Sequence, residues 1–241
     1  MRMSDHSLKY IKTWRRYCKD WTFVKWGEKD ISFTNPYVRE AYSSKKWAFV
    51  SDYIRLYALY KFGGVYIDTD VEIVESLEPF LNLSYFMGFE VYHGIVNPST
   101  SLIGSIPGHP IIGDMLLQYN KEHFQLPDGK LNLYPNTERF MDYFRERLHL
   151  SQTQYGNETI TLMNESVIFP WWFFCVPKAG LQSYAIHHFH GSWLENKHND
   201  SSQEQRAPRL WSLLFCLVLL LIAVGFSMTY RTKQCDPGTL S

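Results

Sequence analysis

Leu8, Ile11, Trp14, Cys18 and Trp21 recur at helical spacing and predict an amphipathic first helix. The apolar run Phe23 to Trp26 predicts a short strand, and Asn35–Pro36 a turn. From Lys46 to Phe62 the positions Phe49, Val50, Tyr53, Leu56, Tyr57, Leu59 and Tyr60 again follow a helical period. Gly63–Gly64 ends that helix, because glycine takes the left-handed conformation without steric cost. The β-branched and aromatic Val65–Tyr66–Ile67 then predicts a strand. Beyond it the pattern predicts a strand at Tyr85 to Phe89 and helices over Pro110 to Tyr119 and Thr137 to Leu148. Short strands follow at Thr159 to Leu162, Val167 to Phe169 and Tyr184 to Phe189. Interleaved helices and strands favour an α/β fold with a mostly parallel or mixed sheet.

The carboxy-terminal stretch departs from this pattern. Leu210 to Tyr230 holds no charged residue, and a membrane-spanning helix needs about 20 mostly apolar residues. A buried core helix normally keeps one polar face, and none appears here. A single-pass membrane helix is therefore predicted over residues 210–230, after a polar linker at 201–209 and before a short tail at 231–241. Arg206 and Arg209 lie before it, and Arg231 and Lys233 after it, so flanking charge does not set its orientation. The polar first ten residues contain no apolar stretch of the signal-peptide type.

At 241 residues the chain can bury one sizeable core. Its 24 basic and 24 acidic residues leave no electropositive field, which argues against nucleic acid as a partner. Cys18, Cys175, Cys216 and Cys235 form no CxxC pair, so neither a zinc knuckle nor a disulfide framework is indicated, and a reducing compartment is the simpler reading.

The chemistry concentrates in residues 51–70. Asp52 and Arg55 stand three apart on the predicted helix and share a face; taken alone they read as a surface ion pair. Asp68 and Asp70 sit two apart at the end of an apolar strand, so their carboxylates project to one side. Strand carboxyl ends are where α/β folds bind ligands. Two converging carboxylates without a thiolate make a hard oxygen site suited to magnesium or manganese. Such a cation can neutralise a diphosphate as it departs. The later cluster His187, His188 and His190 closes another apolar strand and is able to hold a metal, most simply zinc; the plainer reading is a strand end with partly exposed histidines.

The pattern Ser51–Asp52–x–x–Arg55–x–x–x–Leu59–x–x–x–Gly63–Gly64–x–Tyr66–x–Asp68–x–Asp70 resembles the Asp-x-Asp region of glycosyltransferase family 32, whose motif is shared with the large glucosylating bacterial toxins. The likeness runs from about Leu8 to Glu195 and takes in Lys46 to Phe49, Met87 to Glu90 and Pro107 to Pro110. It implies that Asp52 and Arg55 hold the donor's sugar hydroxyls, that Asp68 contacts donor sugar and ribose, and that Asp70 binds the metal. The late histidines are similar to the family's His-His-x-x-x-Ser-Trp segment and to the His-Phe-x-Gly element of family 8 enzymes. That matching makes His188 the third metal ligand, with His187 as the alternative, since strand alternation turns it to the opposite face. Ser192 and Trp193 then lie near the donor diphosphate.

The resemblance implies a nucleotide-diphosphosugar transferase (GT-A, Rossmann-like) fold over residues 1–200, without the family's usual opening strand. The implied reaction is hexosyl transfer from a UDP- or GDP-hexose to a glycan or lipid-linked acceptor. It would depend on Mn2+ or Mg2+ and retain anomeric configuration, with Asp68 and Asp70 at the reacting centre. The implied location is a membrane surface, on the cytoplasmic face in a bacterium or in the Golgi lumen in a eukaryote. Two rivals stand beside it: an inactive, membrane-tethered relative that binds glycan or a partner protein, and a nucleotidyl or phosphoryl transferase. The second lacks a Walker-type glycine-rich loop in this sequence.

Overall fold

Asn35 and Pro36 begin a helix rather than a turn. The computed structural model describes residues 4–30, 33–151 and 154–190. In it the Asn35 side chain accepts the Val38 N–H, and Pro36 takes the first helical position of α2 (Pro36–Ser43), where its missing N–H costs nothing. The helix α1 (Asp5–Tyr17) is capped by Ser4 and stops short of Trp21. The Trp21 indole donates instead to Glu78 at 2.7 Å. Residues 21–27 have no regular structure, so the strand expected at Phe23 to Trp26 does not form. Trp26 packs on Tyr57 and Phe62, while Val24 remains largely exposed. The predicted linker, membrane helix and tail, together with Ser192 and Trp193, lie outside the described residues. Among the described residues, no helix is long and apolar enough to cross a membrane.

The helix α3 (Trp47–Phe62) buries Val50, Ile54, Arg55, Leu56 and Leu59. It ends at Gly63, whose φ of 68° suits glycine. A Cβ there would also meet the Pro107 ring at 2.7 Å and the Ser105 carbonyl at 2.9 Å. The chain turns at once into β1 (Gly64–Ile67), then β2 (Val71–Ile73).

The five-stranded sheet has the order β1-β4-β3-β6-β5. Here β3 is Tyr85–Tyr92, β4 is Ile95–Ser105, β5 is Ile160–Thr161 and β6 is Ser166–Phe169. β3 and β6 run parallel; the neighbouring pairs β1–β4, β4–β3 and β6–β5 run antiparallel. The sheet is therefore mixed, with antiparallel pairing dominant. The strand β7 (Ala185–His187) pairs with β2 in a separate two-stranded sheet, Val71 opposite His187.

Side chains alternate along β3 and divide the core. Tyr85, Met87 and Phe89 pack with α2, α3, α4 (Pro110–Asn120) and α5 (Asn136–Glu146). Phe86 packs with α1, β2, β7 and the short α6 (Trp171–Phe174). Burying each such ring contributes about 1.5–3 kcal/mol, so both layers are held firmly against the sheet. The Trp14 indole donates to the Val71 carbonyl at 2.7 Å, and the Ile73 N–H to Thr13 Oγ1 at 3.0 Å. These bonds fix α1 against β2, next to the turn that carries the two aspartates.

Candidate functional site

α3 presents Asp52 and Arg55 one turn apart, as its period requires, but this is not a surface ion pair: Arg55 is buried, 5% exposed, and Asp52 is partly buried. Arg55 Nη2 lies 3.0 Å from Asp52 Oδ1, and Nη1 lies 3.4 Å from Asp68 Oδ2. Nη1 also donates to the Thr100 carbonyl at 2.6 Å, and the guanidinium stands over the Tyr66 ring at 4.7 Å. Tyr66 in turn donates its hydroxyl to Asp68 Oδ1. Burial raises the Asp52 pKa against the pull of Arg55. For Arg55 burial acts in the opposite direction, yet Asp68, Tyr66 and Asp52 hold its pKa above the ordinary arginine value.

Strand β1 ends at Ile67. The Asp68 N–H donates to the Ser101 carbonyl, and the Val71 N–H donates to the Asp68 carbonyl at 3.0 Å. Asp68 and Asp70 thus converge through a tight turn between β1 and β2, not through strand alternation. Opposite them, pairing of β7 with β2 delivers His187, whose Nε2 is 3.6 Å from Asp70 Oδ1. One donor atom each from Asp68, Asp70 and His187 lies within 4.8 Å of the other two.

His188, the ligand expected by resemblance, points elsewhere. Its Nε2 bonds Glu72 at 2.9 Å, and its ring stacks on Tyr10 at 4.4 Å. Alternation does put His187 and His188 on opposite faces, but β2 selects His187 for the aspartates. The backbone closes over the turn from the same side. The His188 N–H donates to the Asp70 carbonyl, and the His190 N–H donates to Asp70 Oδ2, both at 3.1 Å. His187 Nδ1 faces Glu90 Oε2 at 3.6 Å. Burial would lower the His187 pKa, but the carboxylates of Asp70 and Glu90 raise it to about 9. Asp70 is held below the usual carboxylate range, where His187 and the His190 N–H outweigh burial.

This donor set fits a hard divalent cation. The three donor atoms lie within 4.8 Å of one another, and two carboxylates with an imidazole are a ligand set that such cations accept. Cys175 sits nearby, but burial pushes its thiol up to about 12, so it supplies no thiolate. Asp68, Asp70 and His187 are thus the residues placed where a divalent cation could be held.

Residues 4–87 match the family described as "Glycosyltransferase sugar-binding region containing DXD motif". This stretch is similar to a glycosyltransferase sugar-binding region. The chain is also similar to inositol phosphoceramide mannosyltransferase 3 of Schizosaccharomyces pombe, 29% identical over 98 residues, covering 39% of this chain. The matched segment spans 27% of that relative's length. The matched stretch takes in α1, α2, α3, β1, the Asp68–Asp70 turn and β2, and it ends within β3. His187 and Glu90 lie beyond it. Sequence reasoning missed Glu90, Tyr66 and Thr100 as members of the site. Glu90 left a signal: it is the one charged side chain in the apolar run Tyr85 to Tyr92.

Proposed function

We propose that this chain is a metal-dependent glycosyltransferase of the GT-A type, moving a hexose from a nucleotide-sugar to a glycan or lipid-linked acceptor. The observation that carries the reading is the convergence of Asp68, Asp70 and His187 beside the ion pair of buried Arg55 with Asp52. The sugar-binding region and the mannosyltransferase relative support the transfer of sugar, and mannose is the first donor sugar to test. Asp70 and His187 hold Mn2+ or Mg2+, which when bound offsets the negative charge of the donor diphosphate. Asp68 is oriented by Arg55 on one oxygen and Tyr66 on the other, so its position is set before substrate arrives. Asp52 is placed to accept a sugar hydroxyl once the donor enters. By resemblance Ser192 and Trp193 approach the diphosphate, and the reaction retains configuration. The 210–230 run tethers the domain to a membrane.

The test is donor hydrolysis by the full-length chain in mild detergent against UDP- and GDP-hexoses, with manganese and with chelator. Turnover that needs manganese and disappears in Asp70→Ala supports the reading and names the donor. A folded protein that neither hydrolyses nor binds any donor would overturn it in favour of an inactive glycan- or partner-binding relative.

A further inference from the structure

Glu90 has no part in the site as the sequence suggested it. It lies on β3, opposite Asn97 of β4, and its side chain is 12% exposed. A carboxylate that far from water needs a partner, and the group it faces is His187 Nδ1 at 3.6 Å. His187 is equally buried, and its Nδ1 has no hydrogen-bond partner within bonding distance. On the other side of the same ring, Nε2 faces Asp70. The imidazole therefore stands between two carboxylates, with Nε2 toward Asp70 and Nδ1 toward Glu90.

This arrangement is that of a metal-binding histidine with a second carboxylate behind it. A neutral imidazole can ligate through Nε2 only if its proton sits on Nδ1, and that proton needs an acceptor. A cation drawing density from Nε2 also makes Nδ1–H a stronger donor, which favours closing the gap to Glu90. We propose that Glu90 is a positioning residue of this site. It accepts the Nδ1–H of His187 and so fixes the tautomer and ring orientation that present Nε2 beside Asp70. The inference rests on the metal-dependent reading above and extends it to a residue beyond the matched stretch.

The experiment is manganese binding by the full-length protein, measured by electron paramagnetic resonance and calorimetry, for wild type, Glu90→Gln and Glu90→Ala. Outer carboxylates of this kind are worth about 10–100-fold in metal affinity. Glu90→Ala should weaken binding within that range. Glu90→Gln, which keeps an acceptor oxygen but not the charge, should fall between it and wild type. Saturating manganese should restore much of the donor hydrolysis, so the loss falls on the apparent KM for metal more than on kcat. Thermal unfolding without metal separates this from a packing role. If Glu90→Ala melts lower yet its folded fraction binds manganese as wild type does, the inference is wrong. Should Glu90→Ala not fold, unchanged affinity in Glu90→Gln overturns it equally. A wild-type protein that binds neither manganese nor magnesium fails the proposed function itself, an outcome distinct from either.

Discussion

Arg55 and Asp68 meet across 3.4 Å, and the nitrogen that reaches Asp68 also donates to the Thr100 carbonyl at 2.6 Å. One guanidinium thereby joins the middle of α3, the centre of β4 and the acidic turn after β1. The residue that prepares the site also holds three elements of the fold together.

Removing that guanidinium should unfold before it inactivates. Arg55→Met leaves the partly buried Asp52 and Asp68 without a counter-charge, a loss of about 1–3 kcal/mol. Arg55→Lys should recover only part of it, because a single ammonium cannot reach Asp52, Asp68 and Thr100 together. Urea unfolding of the three proteins checks this. A Met variant as stable as wild type would refute the network's structural role.

The two histidines should separate cleanly. His187→Ala should weaken manganese binding, and with it manganese-dependent hydrolysis, by at least the roughly 10–100-fold that loss of an outer partner costs. His188→Ala removes the Glu72 bond and the Tyr10 stacking, costing about 1 kcal/mol of stability with metal affinity kept within about twofold. Reversal of these two phenotypes would restore His188 as the ligand.

Protonation of His187 should pull stability and metal binding in opposite directions. Its folded pKa is raised from 6.5 to about 9, so its contribution to stability is fully present below pH 6.5 and lost as the pH climbs through 9. Metal-free protein should accordingly weaken over that interval. Manganese must displace the same proton from Nε2, so its Kd should tighten about tenfold per pH unit from pH 6 to 8. Calorimetric titrations at four pH values test both slopes; a flat binding profile would remove His187 from the ligand set.

Gly104 stands opposite Phe86 in the β3–β4 register, and the Phe86 ring occupies the space where a Cβ would project. Gly104→Ala should therefore force the ring out of its packing, at a cost of about 1–3 kcal/mol. Thermal melting measures it. Since Leu102 and Ile103 next to it pair with β1, manganese affinity should decline alongside stability.

The helix α3, the Gly63–Gly64 break and β1 were legible because period 3.6, the glycine stop and β-branched residues agree locally. The strand β4 was not. Asn97–Pro98–Ser99 reads as a loop, yet Pro98 lies next to the register shift in the β3–β4 pairing, the kind of irregularity where a sheet tolerates proline. The preceding His93–Gly94 turn, with φ of 49° and 80°, makes the two-residue hairpin without the usual Asn-Gly signature. Asp52, Arg55, Asp68 and Asp70 could be named from one continuous segment. The choice between His187 and His188 could not, because it depends on the register of β7 against β2, a pairing more than a hundred residues apart in the chain.

Arg55 lies so deep that selection for folding alone is enough to preserve it. A descendant that ceased to move sugar would still carry Asp52, Arg55 and Asp68, since losing their balance of charge would cost it its structure. Asp70 and Glu90 are balanced by the His187 imidazolium rather than by a guanidinium, and that balance is lost as the pH rises, so it is the weaker constraint once turnover no longer matters. Among relatives of this chain, joint loss of Asp70, His187 and Glu90 beside an intact Asp52–Arg55–Asp68 network is the mark of a retired enzyme.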